Sequence, residues 1–412
     1  MPPSTRDASP ETAAGGSAGE VFATFLRLGL TSFGGPIAHL GYLRRECVVR
    51  RGWLGDARFA QLVALCQLLP GPASSQLGFA LGLLRAGWRG GLAAFVAFTL
   101  PSALVMAGFA TLLPTLAHQR WLPPAMHGLK LLAVAVVAHG LAGMARRLTP
   151  DLRRVGIAIA AATLVLALPG GLWPQLAAIA FGAAAGLVLF RAGDAAEVRW
   201  PTPAGRCSQA MSWLLLAAWL GLLVLALLWP PGATPDAASV FAAFYRAGSL
   251  VFGGGHVVLP LLHEAVVEPG WVDADTFLAG YGASQAVPGP MFSIATFLGA
   301  SLPGGLAGGA GAVLALCAIF LPGLLLVAAL LPLQARFSGA ASARRAISGV
   351  NAAVVGVLAA ALYDPLWREG IRDLPDLLLA AIALALLASG RVPVLLVVLW
   401  CALASLGVAA LR

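Results

Sequence analysis

Two six-residue stretches carry a spacing that suggests a site. Gln67-Leu68-Leu69-Pro70-Gly71-Pro72 is followed by Ser74 and Ser75, and Gln285-Ala286-Val287-Pro288-Gly289-Pro290 is followed by Ser293 and Thr296. Pro-Gly-Pro removes two amide donors and favours a turn, while a proline suits the first turn of a new helix. The free amides after Pro72 and Pro290 would then point back at the turn. A helix start carries about half a positive charge, and with neighbouring hydroxyl donors it suits an oxyanion. This is binding chemistry rather than bond-breaking chemistry. The alternative is an ordinary surface loop between two short interfacial helices.

Other polar groups sit inside apolar runs. Arg27 and Arg246 hold equivalent places, and a guanidinium fork matches a tetrahedral oxyanion, although either could snorkel to the interface. Lys130 is the only lysine, with Asn351 as its counterpart, and reads as an anion ligand, a proton-exchanging group or an interfacial anchor. Gln67 and Gln285 bind substrate or cap a broken helix. Gly34-Gly35 and Gly253-Gly254 mark further interruptions. The five cysteines are scattered and the histidines have no spaced partners, so no metal site, cofactor or redox pair is expected.

The elements that must position these groups belong in lipid. Hydrophobic residues make up 59% of the 412 and charged residues only 10%, against about 25% charged in an average soluble domain. Mean hydropathy is +0.88. The net charge of +9 sits in short arginine-bearing connections, the positive-inside pattern, which argues against nucleic acid as a partner. Crossings are expected near 92–113, 121–145, 151–168, 172–190, 209–229, 305–330, 346–363, 376–389 and 391–411. Residues 1–19 read as a disordered tail and 191–208 as a cytoplasmic linker between unit 20–190 and unit 209–412.

The chain is written twice. Phe22 to Gly35 (FATFLRLGLTSFGG) matches Phe241 to Gly254 (FAAFYRAGSLVFGG) at eight of fourteen positions, at an offset of 219. Trp53 answers Trp271, Leu100-Pro101 answers Leu321-Pro322, and Gly128 answers Gly349. The repeat runs from roughly 20 to 145 and from 240 to 365. After the first glycine pair come Arg44, Arg45, Arg50, Arg51 and Arg58; the matching second stretch holds His263, Glu264, Glu268, Asp273 and Asp275 without Lys or Arg. The two loops are therefore expected on opposite sides, and five intervening crossings agree. The fold class is an all-α polytopic membrane protein with two inverted-topology repeats. Residues 56–69 with 72–84, and 276–287 with 291–302, are too short to span at 1.5 Å per residue and read as re-entrant hairpins. Paired breaks at matching places point to a transporter's binding site.

Phe33-Gly34-Gly35, Gln67-x-x-Pro70-Gly71-Pro72 and their second set, Phe252-Gly253-Gly254 and Gln285-x-x-Pro288-Gly289-Pro290, resemble the chromate ion transporter family in its long two-domain form. The resemblance implies export of chromate, a sulfate-like dianion, across a bacterial inner membrane, with chromate resistance. It implies no enzyme activity. A proton or anion counter-substrate is possible; a channel-like or exchange carrier for another inorganic anion such as sulfate is the alternative, and a membrane-embedded enzyme a further one. An ATP-driven pump is not expected, because the P-loop pattern is missing: Lys130 is followed by Leu131.

Overall fold

The computed structural model describes residues 15–33, 35–116, 118–168, 172–191, 209–229, 232, 234–252, 255–337 and 341–411, and among them every regular element is helical. In the first copy these are α1 (Ala18–Thr31), α2 (Gly35–Leu43), a π-helical turn Arg44–Arg50, α3 (Asp56–Leu68), α4 (Ala73–Leu116), α5 (Leu122–Leu148), α6 (Leu152–Ala167) and α7 (Leu172–Leu189). The lone helix α8 (Gln209–Leu228) follows. The second copy holds α9 (Ala237–Leu250), α10 (Val258–Val266), α11 (Ala274–Ser284), α12 (Ile294–Ala300), α13 (Gly309–Phe337), α14 (Ala341–Ala361), the short turn α15 (Arg368–Gly370), α16 (Leu374–Ser389) and α17 (Val394–Ala410).

Local chemistry explains the ends. Ser17 caps α1 by accepting from the Glu20 amide at 3.1 Å, so the helix begins inside the stretch expected to be tail. Residues 1–14 and most of the expected linker, 192–208, lie outside the described residues. Asp236, Asp273 and Asp373 cap α9, α11 and α16 in the same way. The hairpin return over 72–84 ends where expected: the backbone leaves helical geometry at Ala86 and Gly87, where φ of Gly87 is +66°. Gly82 packs back against the Gly90 carbonyl, so α4 is two helices joined at a sharp kink.

Five helices among the described residues are long and apolar enough to cross a bilayer: those over Ala73–Leu116, Leu122–Leu148, Gln209–Leu228, Gly309–Leu333 and Ala341–Gly370. Helices α6, α7, α16 and α17 are apolar but only 16 to 18 residues long. At 1.5 Å per residue they cover about 24–27 Å, slightly less than a full hydrocarbon core. Leu152, Val188, Trp173 and Leu228 are among the most exposed side chains, as expected of surfaces that face lipid.

The copies interlock by exchange. Helices α6 and α7 of the first copy pack on α14 of the second, while α16 and α17 of the second pack on α5 of the first. Glycines permit both approaches. A side chain at Gly128 would strike the Cys401 carbonyl, and one at the equivalent Gly349 would strike the Gly182 carbonyl. Likewise Gly29 of α1 lies against the Phe98 carbonyl of α4, and Gly248 of α9 against the Ile319 carbonyl of α13. Backbones this close exchange dispersion contacts that larger side chains would prevent. The contacts are reciprocal between the copies.

Candidate functional site

The two hairpin tips meet the helix ends of the opposite copy. Helix α1 stops at Ser32 and α9 at Val251, leaving carbonyls without intrahelical donors. The Gly71 amide donates to the Val251 carbonyl at 2.8 Å, and the Gly289 amide donates to the Ser32 carbonyl at 2.9 Å. Each tip thus closes the broken helix of its partner copy. Both glycines are required by conformation, with φ of +116° at Gly71 and +103° at Gly289. Space is tight as well: a Cβ at Gly71 would lie 3.2 Å from the Gly323 Cα, and one at Gly289 would lie 3.2 Å from the Phe98 carbonyl, so either would require a neighbour to shift.

Helix starts open onto the tips. The Gln76 amide donates to the Pro72 carbonyl at 2.9 Å, so the amides of residues 73–75 precede the first helical bond of α4. In the second copy, the Ser293 amide donates to the Pro290 carbonyl at 3.0 Å, opening those of Met291 and Phe292. Ser74, Ser75 and Ser293 are buried here, as are Pro70 and Gly71, while Pro288 is partly buried beside the buried Gly289. The hydroxyls of Ser32, Ser75, Thr99, Ser293 and Thr296, with the Gln76 carboxamide oxygen, are buried without a hydrogen-bond partner. Buried polar atoms are normally paired, so a concentration of unpaired ones beside two helix starts marks a place able to take a polar guest.

Two residues organise the first tip beyond those read from the motif. Gln76 is fully buried; its Nε2 donates to the Pro70 carbonyl at 2.8 Å and to the Gly323 carbonyl at 3.3 Å, tying the tip to α13 of the other copy. His39 is buried, with Nε2 3.1 Å from the Ser32 carbonyl and Nδ1 3.4 Å from Ser74 Oγ. A carbonyl only accepts, so Nε2 carries the proton and Nδ1 accepts from Ser74. Comparing the copies would have exposed Gln76, because its counterpart is Ile294. His39 offers no such signal: its bond to Ser74 joins positions 35 residues apart.

The expected cations do not converge on the tips. Arg27 is exposed on the outer face of α1. Arg246 is buried, but its Nη1 donates to the Ala226 and Trp229 carbonyls at 3.2 and 3.3 Å, at the C-terminal end of α8. Unpaired carbonyls at a helix end attract a cation, and this local demand takes the side chain. Lys130 is buried and paired with Asp275 in the first turn of α11, the base of the second hairpin. Gln67 is exposed, and the Gln285 Nε2 turns back to the Tyr281 carbonyl at 3.4 Å and Ser284 Oγ at 3.2 Å. Asn351 is partly buried on α14. Gly35 has φ of +76°, whereas Gly34, Gly253 and Gly254 lie outside the described residues. The tips therefore offer neutral N–H and O–H donors rather than fixed charge. Among the described residues no cluster of three or more His, Cys, Asp or Glu could hold a metal ion.

On the flank of the first copy, Glu46 accepts from Arg50 at 2.7 Å and from Arg51 at 2.8 Å. Burial would raise its carboxyl pKa, but these two guanidinium bonds outweigh burial and hold it below the ordinary value. Glu20 joins the same network, accepting from Trp53 Nε1 at 3.1 Å and Arg85 at 3.1 Å.

A duplicated bundle of apolar helices whose broken segments bond reciprocally between the copies defines a multi-pass membrane protein of the transport class rather than an enzyme. Residues 19–187 and again 238–406 match the family described as chromate transporter, and the chain belongs to that family. Each matched segment extends beyond the repeat read from the sequence, taking in α6 and α7 in the first copy and α16 and α17 in the second. That leaves α8 as the unrepeated linking helix. The chain is 29% identical over 366 residues to a probable chromate transport protein of Synechococcus elongatus, covering 87% of each chain. It is 28% identical over 399 residues to a chromate transport protein of Cupriavidus metallidurans, covering 94% of this chain and 92% of that one. A chromate transport protein of Pseudomonas aeruginosa is 29% identical over 359 residues, 84% and 80% of the respective chains. A bacterial inner membrane fits these bacterial relatives. No solved structure matches the chain.

Proposed function

We propose that this protein exports chromate from the cytoplasm as a secondary transporter, holding the tetrahedral dianion between the two Pro-Gly-Pro tips. The observation that supports this reading is the reciprocal pair of bonds, Gly71 to Val251 and Gly289 to Ser32, with an open helix start after each tip and unpaired buried hydroxyls on the same elements. The substrate is taken from the relatives' names. Chromate suits donors without a fixed cation: amides and hydroxyls replace part of its hydration shell, while incomplete neutralisation lets it leave. An inside-negative potential favours its exit by about 2.3 kcal/mol per charge per 100 mV, about 4.6 for a dianion.

Opposite orientation of the copies is part of the proposal. An even number of crossings per copy plus the single helix α8 turns the second copy over, and the arginine-rich and acidic loops agree with that. Everted vesicles containing the protein accumulate chromate, and dissipating the potential stops the uptake. Cysteines at the exposed twins Gly52 and Gly270 are labelled by an impermeant reagent from opposite sides of the membrane. Chromate uptake equal to that of empty vesicles refutes the transport reading; labelling from one side refutes the inverted arrangement.

A further inference from the structure

The ion pair at the base of the second hairpin has a geometry that the tips do not explain. Lys130 lies nine residues into α5 with only 3% of its side chain exposed, and its carboxylate partner Asp275 has 59% exposed. A buried cation thus reaches solvent through one displaceable anion. Glu369 on α15, which packs against α5, lies within electrostatic reach of both groups and keeps a buried carboxylate oxygen without a hydrogen-bond partner. The pair also joins the copies, because α5 belongs to the first and α11 to the second. The first copy's version is neutral: Asn351 answers Lys130 and Ala57 answers Asp275. Helix α11 has 11 residues, so the pair sits about 16 Å from the tip at 1.5 Å per residue.

We propose that Lys130 is a peripheral oxyanion site at the mouth of the second copy, with Asp275 as an internal stand-in anion that substrate displaces and that displaces substrate in turn. The inference rests on the oxyanion-transport reading above. Leaving Lys130 bare would strand a buried charge, which is strongly unfavourable. Exchange of one anion for another avoids that state. The Asp275 carboxylate, already tethered, competes for Lys130 and so speeds release, while Glu369 adds repulsion against a second negative charge. Asn351 cannot do the same, so release is assisted at one mouth only.

The test uses the full-length protein in vesicles and in detergent. Asp275→Asn removes the stand-in while keeping the shape. The expected result is an apparent KM for chromate about tenfold lower with a maximal rate reduced by a similar factor, because substrate is held at Lys130. The Lys130→Gln/Asp275→Asn double variant returns the KM towards the original value. Sulfate at constant ionic strength raises the melting temperature of Asp275→Asn more than that of the unmodified protein, and the double variant loses that gain. Asp275→Ser serves if Asp275→Asn fails to fold. An unchanged KM and an unchanged sulfate shift in the single variant overturn the proposal, as does a double variant indistinguishable from it. If the unmodified protein takes up no chromate, the transport reading fails, while the sulfate shift still decides whether Lys130 binds an oxyanion.

Discussion

Replacing Gly71 by alanine adds one methyl group at the point where the two copies touch. A non-glycine residue at φ +116° stores about 1–3 kcal/mol of backbone strain. The new Cβ would also lie 3.0 Å from Gln76 Nε2 and 3.2 Å from the Gly323 Cα, so the tip must move away from α13. That movement strains the bond from the Gly71 amide to the Val251 carbonyl, worth about 1 kcal/mol. Together the penalty is about 2–4 kcal/mol. If it falls on the conformation that holds substrate, chromate flux drops at least about thirtyfold, since each 1.36 kcal/mol is tenfold. Gly289→Ala should behave alike, with Ser102 Oγ at 3.1 Å and the Phe98 carbonyl at 3.2 Å in the way. Gly52→Ala is the control: φ is +59° but nothing lies within 4 Å, so it carries handedness strain of about 1–2 kcal/mol without a collision. Initial rates in everted vesicles, normalised to the amount of folded protein, measure all three. Flux of Gly71→Ala within twofold of Gly52→Ala would refute the claim that the tips form the site.

The pseudo-equivalent arginines should differ. Arg27→Gln changes stability by no more than about 0.5 kcal/mol, as exposed substitutions do, whereas Arg246→Gln leaves the buried Ala226 carbonyl and the part-buried Trp229 carbonyl short of their donor and loses about 1–3 kcal/mol, read as a lower melting temperature. Gln76→Leu unpairs the Pro70 and Gly323 carbonyls and should lower both stability and flux, while Ile294→Leu at the matching place leaves flux within a few fold; equal behaviour would remove Gln76 from the site. Glu46 has a folded pKa below its unfolded value of about 4.3, so its stabilisation is present above that pH and disappears as pH falls through the folded value. Glu46→Gln should therefore melt below the unmodified protein at pH 7, with the gap closing under about pH 4 in parallel melts.

Some of this architecture needed nothing beyond the order of residues. Apolar run lengths announce a membrane protein because the hydrocarbon core has a fixed thickness, and a duplicated chain announces two related halves. Pro-Gly-Pro announces a broken helix because proline lacks an amide, and both tips appear where the motif places them, with Ser74, Ser75 and Ser293 buried beside them. The end of the return segment near residue 84 was legible too, because Gly87 takes the positive φ that turns the chain there. The extent of the repeat was hidden, because α6 and α7 share little beyond hydropathy with α16 and α17.

Which segments are apolar, where the backbone breaks and that the motif occurs twice all follow from local chemistry and can be read from the order of residues. Where each long polar side chain goes depends on contacts between distant helices. Arg246 turns to the end of α8, Lys130 to Asp275, and Arg27 outward, although two of them share a place in the repeat. The reason is physical: a buried charge goes to whatever unpaired carbonyl or carboxylate lies within reach, and that partner comes from a helix distant in the chain.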